Sequence, residues 1–117
     1  MRDLRVYLDD LMREIELVAR FTVDGKDAFM ADERNQYAVM MAYARIGEIA
    51  KRIPNDVLAT QPHIEWAAIK GFRDVLIHRY FDLAMVRVWE AVEKLSELRA
   101  AVEAMLAALP PEVDDEA

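Results

Sequence analysis

The feature that most constrains the fold is the spacing of the apolar residues, which recur every three or four positions along most of the chain. This spacing places them on one face of an α-helix, whereas a β-strand would show a period of two. No segment shows that alternation, and no internal repeat or low-complexity block is present. The chain is therefore expected to be all-α. The first apolar stripe consists of Leu4, Leu8, Leu11, Ile15 and Val18, and it predicts a helix over residues 3–22.

Two further helices are predicted in the middle of the chain. Residues 23–27 carry turn formers, Asp32 is placed to cap the second helix, and Pro54 ends it. Residues 55–61 are expected to form a connection, and Pro62 suits the first position of the third helix. The second stripe consists of Val39, Ala42, Ile46, Ile49 and Ile53, and the third of Trp66, Ile69, Phe72 and Leu76.

A fourth helix is predicted near the end of the chain, where Asp82 is placed to cap it and Pro110 and Pro111 end it. Residues 111–117 form an acidic tail without periodicity, which is expected to be disordered. Residues 1–110 are then one domain, an up-and-down four-helix bundle with short connections. The fourth stripe consists of Met85, Val88, Val92, Leu95, Val102, Leu106 and Leu109.

The second predicted helix has a wider apolar face than one neighbour needs. Besides its stripe it carries Tyr37, Met40, Met41 and Ala44. A wide apolar face is expected either of a helix buried in the centre of the bundle or of one that also forms a subunit interface. The residues alone leave both alternatives open.

Composition bounds the class of protein. The chain has 117 residues, of which 55% are apolar, which suits one globular domain. It has no cysteine, so disulfides and a thiolate nucleophile are excluded, and this fits a reducing compartment. No apolar run approaches the roughly 20 residues that span a bilayer, and the N-terminus is charged rather than secretory in character. We expect a cytoplasmic protein with no membrane contact.

The net charge of −7 at first argues against a nucleic-acid ligand, because Lys and Arg must neutralise phosphates. The charge is unevenly distributed, however. Residues 45–87 contain seven basic and five acidic side chains, while the rest of the chain contains eight basic and seventeen acidic ones. A locally basic cleft on an acidic body is therefore compatible with the sequence, and the acidic body would suit a basic partner.

Chemically distinctive side chains are concentrated in the third helix, where Arg73, His78 and Tyr80 follow one another at fixed spacing. In a continuous helix Arg73 and His78 point about 140° apart, whereas Arg73 and Tyr80 nearly coincide. One straight helix cannot aim all three inward, so either the helix loosens near His78 or a second copy completes the site. Asp74, four residues before His78, is within reach of the imidazole if the helix persists and would then fix its tautomer and raise its pKa.

These side chains suit cleavage of RNA through its own 2′-hydroxyl without a metal ion. His78 is a candidate for acid–base transfer, and Arg73 is a candidate clamp for the non-bridging phosphate oxygens. One motif histidine per chain is too few for a separate acid and base, which favours a paired site in a dimer. DNA lacks the hydroxyl and would not be cut in this way.

A purely structural interpretation of the same residues competes with the catalytic one. Arg73 would pair with a carboxylate, His78 would favour the C-terminal turn of its helix, and Tyr80 would be half-buried in the core. His63 is expected to be an exposed bystander beside Pro62. The acidic residues of the first helix are expected to form a solvated face rather than a diiron site, since no Glu-x-x-His pair is present; they are Asp9, Asp10, Glu14 and Glu16.

Several separated segments match one protein family in the same order. They are residues 46–52 (IGEIAKR), Trp66, residues 69–73 (IKGFR), the Arg-x4-His-x-Tyr spacing of Arg73, His78 and Tyr80, and Trp89. On these residues, and over nearly its full length, the chain resembles the HepT-like toxins of the HEPN superfamily. The resemblance implies a helical bundle that is dimeric through the second and third helices, so that both chains contribute arginine and histidine to one cleft. It also implies a metal-independent ribonuclease that halts growth.

The resemblance further implies a partner, a minimal nucleotidyltransferase (MNT) antitoxin that neutralises the toxin by transferring AMP from ATP to the motif tyrosine. Tyr80 occupies that position, and ATP would be used only by the partner, so no cofactor of its own is expected. The chain departs from the family pattern at three places. Asp74 stands where the family often has Asn, and Glu65 stands where it often has Pro. Residues 84–85 are Ala-Met, where the family often has Asp-Leu. The alternative hypothesis is a non-catalytic helical adaptor that presents substrate to a nucleotidyltransferase.

Overall fold

The computed structural model of the protein describes residues 3–78 and 84–111. All regular structure in these residues is helical, so the all-α prediction is confirmed. The helices are α1 (Leu4–Phe21), α2 (Lys26–Met30), α3 (Glu33–Ala50), α4 (Asn55–Leu58), α5 (Trp66–His78), α6 (Met85–Glu93) and α7 (Leu95–Ala107). None of the helices in the described ranges is long and apolar enough to cross a membrane.

The first two long helices form where the apolar stripes and caps predict them. The side chain of Asp3 caps α1, and within the first stripe Leu8, Leu11, Ile15 and Val18 are fully buried. At the start of α3 the Asp32 carboxylate accepts a hydrogen bond from the Asn35 backbone N–H at 3.1 Å. This satisfies one of the N–H groups that a helix leaves unpaired at its start.

The connections contain more helix than predicted. Within the predicted turn at residues 23–27, Gly25 has a φ of 92°, and α2 begins directly after it. Glycine tolerates this left-handed conformation because it has no Cβ atom. The short helix α4 lies in the predicted connection at residues 55–61.

The third long helix begins at Trp66, so the prediction that it begins at Pro62 is wrong. The indole Nε1 of Trp66 donates to the backbone carbonyls of Leu58 at 3.0 Å and Gln61 at 3.1 Å. Ile64 is also buried against the core. These contacts fold the connection around the start of α5, which outweighs the local preference of proline for a first helical position.

The predicted fourth helix is divided at Lys94 into α6 and α7. The division lets α6 pack against α2, where the rings of Phe29 and Trp89 lie 5.5 Å apart, while α7 packs along α1. Ala84 is the residue that precedes α6, and the predicted cap Asp82 lies outside the described residues. The helix ends at Ala107, before the predicted proline stop.

The four long segments, α1, α3, α5 and the interrupted α6–α7, form the helical bundle, with α3 between α1 and α5. Gly47 sets the distance between α3 and α5, because a Cβ atom there would lie only 2.8 Å from the Ile69 carbonyl oxygen. The close approach brings the C-terminal half of α3 beside the motif residues of α5. Residues 112–117, where most of the predicted disordered tail lies, are outside the described part of the chain.

Candidate functional site

Arg73 lies on the side of α5 that faces α3, and it binds a carboxylate from each helix. Its Nε is 3.1 Å from Oε1 of Glu48, and its Nη1 is 3.7 Å from Oδ1 of Asp74. The side chains of Arg73 and Glu48 remain 38% and 41% exposed. Lys51 also approaches Oε1 of Glu48, at 3.2 Å. The guanidinium is therefore held in one orientation at the surface and is open to solvent.

The partner of Arg73 across the helix pair is a residue that sequence reasoning missed. Glu48 lies 25 positions before Arg73 in the chain, and no helical spacing connects the two. The bare backbone of Gly47, packed against residues 69–70 of α5, brings the neighbouring carboxylate within reach. The only available signal was that both residues belong to segments by which the chain resembles its family.

His78 is the last residue of α5, and its side chain is exposed. Within the described residues the helix continues through His78, and up to that residue it does not loosen, which was one of the two predicted ways to reconcile the motif directions. Arg73 and His78 thus point about 140° apart on one helix. Within residues 3–78 and 84–111 no bond joins Asp74 to His78, and the Asp74 carboxylate approaches Arg73 instead. The predicted support of the imidazole by Asp74 is not formed.

Tyr80 lies outside the described residues. Two elements of the competing structural interpretation are present, since Arg73 pairs with carboxylates and His78 lies in the last turn of its helix. The side chains of Arg73 and His78 are nevertheless exposed, and both are therefore accessible to a dissolved substrate.

Glu14 corrects the prediction of a solvated acidic face on the first helix. Its side chain is only 3% exposed, and Oε1 accepts from Nε of Arg45 at 2.8 Å. Glu14 lies three residues after Leu11 and four before Val18, on the buried side of α1, and the cation that compensates its charge comes from α3. Its other oxygen, Oε2, is buried and has no hydrogen-bond partner among residues 3–78 and 84–111. Among the described residues no group of three or more His, Asp or Glu side chains is arranged to hold a metal ion.

A concave surface, which we call the side groove, lies between α5 and the α6–α7 segment and has a volume of about 460 Å³. Tyr43 of α3 and Phe72 of α5 line it, with ring centroids 5.6 Å apart in an edge-to-face arrangement. The Tyr43 hydroxyl is buried and has no hydrogen-bond partner in the described structure. Burial raises the pKa of Tyr43 above its usual range. His63, predicted to be a bystander, is exposed at the edge of this groove.

Comparison with known proteins identifies the family. The family model described as "Ribonuclease HepT-like" matches residues 11–105. A protein of Thermococcus cleftensis named "Probable ribonuclease HepT" is 37% identical over 94 residues, which cover 80% of this chain and 86% of that protein. "Putative RNase MJ0125" of Methanocaldococcus jannaschii is 32% identical over 107 residues, covering 90% and 92% of the two chains. No solved structure is significantly similar. With a match over most of its length, the chain belongs to the HepT-like ribonuclease family of the HEPN superfamily.

Proposed function

We propose that the protein is the toxin of a toxin–antitoxin pair, a metal-independent endoribonuclease that acts as a homodimer in the cytoplasm. The observation that carries the proposal is the placement of Arg73 and His78 on one surface helix, both accessible to solvent, in a chain of the HepT-like ribonuclease family. Relatives are named as ribonucleases, and the chemistry of these two side chains supports the same activity.

In the proposed reaction the ribose 2′-oxygen attacks the adjacent phosphorus atom, and a histidine removes the hydroxyl proton. The bond between phosphorus and the 5′-oxygen breaks, and a general acid protonates that oxygen as it leaves. The products are a 2′,3′-cyclic phosphate and a free 5′-hydroxyl. His78 performs the proton transfers, which are typically worth 10²–10⁴-fold in rate, and Arg73 stabilises the charge on the non-bridging oxygens.

The ion pairs of Arg73 are compatible with phosphate binding. Ion pairs exposed to this extent contribute only about 0–1 kcal/mol each to stability. A phosphate can therefore replace a carboxylate on the guanidinium with little loss of free energy. Glu48 engages Nε and Asp74 approaches Nη1, which leaves Nη2 without a partner among the described residues. Glu48 thus holds the planar fork in place while part of its donor set remains available.

A dimer would supply the second histidine, and the exposed apolar residues of α3 and α5 support it. Tyr37 and Met41 of α3 are 56% and 63% exposed, and Ile77 of α5 is 50% exposed. Exposed large apolar side chains on neighbouring helices are often found at protein interfaces. Because α5 is helical through His78, a second copy is the way proposed here to bring an arginine and an imidazole together.

Neutralisation is proposed to occur by adenylylation of Tyr80 by an MNT antitoxin. The phenolic oxygen would attack the α-phosphorus of ATP, release pyrophosphate and form a phosphodiester bond to AMP. The adduct adds negative charge and bulk two residues from His78, where it would exclude RNA and attract Arg73. ATP is a substrate of the partner, and the toxin itself needs no cofactor.

Substitution of the two proposed catalytic residues tests the ribonuclease. Arg73→Ala and His78→Ala should each reduce cleavage of single-stranded RNA by about 10²-fold or more and abolish growth inhibition. Arg99→Ala is the matched control, because Arg99 of α7 is 42% exposed and also pairs with two carboxylates, those of Glu16 on α1 and Glu103 on α7. A chelator should leave the wild-type rate unchanged, and the products should carry cyclic phosphates.

Full toxicity of both Arg73→Ala and His78→Ala would contradict the ribonuclease and favour the alternative of a non-catalytic adaptor that presents substrate to a nucleotidyltransferase. The engagement of Arg73 by two carboxylates is the observation that keeps this second candidate in consideration.

Mass spectrometry after incubation with the antitoxin and ATP tests the modification. An AMP adduct should map to Tyr80 and be absent from Tyr80→Phe. Adducts on other residues with Tyr80 unmodified would disprove this part of the proposal.

A further inference from the structure

We propose that the side groove holds one unpaired nucleobase of the RNA, a binding site that rests on the proposed ribonuclease function and extends it to substrate recognition. Ligand pockets usually enclose about 300–1,000 Å³, and the groove falls within that range at about 460 Å³. It is separate from the carboxylate pairs around Arg73 and is lined by different residues.

The floor of the groove suits a flat, apolar ring. Tyr43 and Phe72 form its aromatic part, and Ile69, Ala91 and Leu98 add aliphatic surface. Phe72 is only partly buried, so part of its ring is available to a ligand. Unpaired RNA bases bind proteins mainly by stacking on aromatic rings and by hydrogen bonds to their exposed edges.

The Tyr43 hydroxyl is a hydrogen-bonding group that lacks a partner in the free protein. Its side chain is 7% exposed, and no described residue bonds to the oxygen. A buried polar group left unpaired is unfavourable, and a ligand that displaces a neighbouring side chain to pair with it recovers that loss. Since burial raises the pKa of the phenol, the group stays protonated and donates. Ring nitrogens and carbonyl oxygens of nucleobases are suitable acceptors.

The charges at the rim favour a base rather than a phosphate. Arg87 and Lys94 are offset by three carboxylates, and His63 is the remaining titratable group; the carboxylates are those of Glu65, Glu90 and Glu97. Because the rim carries no net positive charge, it does not attract a phosphate group. A neutral base is not repelled by the carboxylates, and carboxylates accept hydrogen bonds from exocyclic amino groups.

The position of the groove fits a base next to the phosphate that Arg73 would bind. Phe72 and Arg73 are consecutive residues of α5, so their side chains point about 100° apart on the same turn. One nucleotide can therefore place its phosphate on the Arg73 side of the helix and a neighbouring base in the groove. The groove would then select single-stranded RNA, because a base in a duplex cannot be inserted without being unpaired.

Binding of an uncleavable probe tests the subsite independently of catalysis. A short single-stranded 2′-O-methyl RNA is titrated against the full chain by fluorescence anisotropy, together with probes that each lack one base. In the wild type, loss of the base at one position should weaken binding about fivefold to a hundredfold. Ala68→Trp fills the groove from an exposed position of its lining, so the intact probe should bind more weakly and the missing base should no longer matter.

Ala67→Trp is the matched control, since Ala67 is exposed, adjacent on α5 and not part of the groove lining. It should respond to the missing base as the wild type does. If Ala68→Trp keeps the position-specific loss of the wild type, the groove does not hold a base, while the ribonuclease proposal stands. If the wild type binds none of the probes, the proposed function fails and the subsite with it.

Two further measurements separate a binding role from a structural one. Tyr43→Phe removes the unpaired hydroxyl, so its Tm should be unchanged or higher, whereas its affinity for the probe should fall about threefold to tenfold. An unchanged affinity would overturn the role of the hydroxyl. Sedimentation of both tryptophan variants detects the competing use of the groove: an oligomeric state altered only by Ala68→Trp would identify it as an interface between copies and overturn the proposal.

Discussion

The two helices that flank α3 differ in how they use their surfaces. In α1, five residues are buried, and the four apolar ones among them are fully buried and evenly spaced. In α5 only Trp66 and Leu76 are buried, although its sequence is the more apolar of the two, and Ile77 is half exposed. The side of α5 that faces α3 holds Arg73, while its other sides meet solvent or the side groove.

This difference separates a scaffold from a functional element. Among the described residues, α1 and α3 together contribute ten buried apolar side chains and α5 contributes two, so the α1–α3 pair adds more to the stability than α5 does. Helix α5 is fixed at a few points: the indole hydrogen bonds of Trp66, the close approach at Gly47 and the burial of Leu76. Several other described residues of α5 are exposed, and the proposed function assigns this surface to RNA, a second copy and an antitoxin.

The largest expected effect is loss of stability in the scaffold. Leu11 is fully buried in α1, so Leu11→Ala should lower the free energy of unfolding by about 2–5 kcal/mol through lost burial and the cavity left behind. Ile77→Ala on α5 should change it by less than about 0.5 kcal/mol, because the side chain is half exposed. Urea denaturation measures both. A large loss for Ile77→Ala that shrinks with dilution would instead show that Ile77 is covered by a partner copy.

A smaller loss is expected where the two regions meet. Gly47→Ala places a Cβ atom 2.8 Å from the backbone oxygen of Ile69, which cannot move without shifting α5. The variant should lose about 1–3 kcal/mol of stability by overpacking. It should also lose ribonuclease activity, since the shift separates Glu48 from Arg73. Wild-type stability and activity together would show that the close helix approach is not needed.

The smallest expected effect is a gain on the exposed side of α5. Gly71 is helical, and a Cβ atom there would have no heavy atom within 4 Å. Gly71→Ala should therefore stabilise the protein by about 0.5–1 kcal/mol through helix propensity alone. Thermal unfolding of Gly47→Ala and Gly71→Ala, measured side by side, compares the same substitution where α3 meets α5 and on the exposed side of α5. A destabilised Gly71→Ala variant would indicate that something packs closely against this side of α5.

Local features of the sequence were enough to predict the long helices. The stripe of α1 and the cap at Asp32 depend only on residues three or four positions apart, and both predictions are confirmed. The start of α5 was predicted wrongly at Pro62 because the indole of Trp66 binds carbonyls that precede it by five and eight positions. The burial of Glu14 was missed for a similar reason, since the compensating Arg45 comes from another helix.

The candidate site was predictable in part. The spacing of Arg73 and His78 predicted that α5 carries the proposed site, and the structure places both residues on that helix with exposed side chains. The direction in which each side chain is held was not predictable. Asp74 pairs with Arg73 rather than with His78, and the lack of a hydrogen-bond partner for Tyr43 depends on what three helices place around its hydroxyl.

By itself the sequence determined the helical class, the family and the identity of the motif side chains, because apolar periodicity, capping and residue spacing act over a few positions of one chain. Only the tertiary structure decided that Glu48 holds Arg73, that Glu14 is buried with Arg45, and that a groove lies between α5 and the α6–α7 segment. Each of these depends on how closely separate helices approach, and that distance is set by packing at positions such as Gly47.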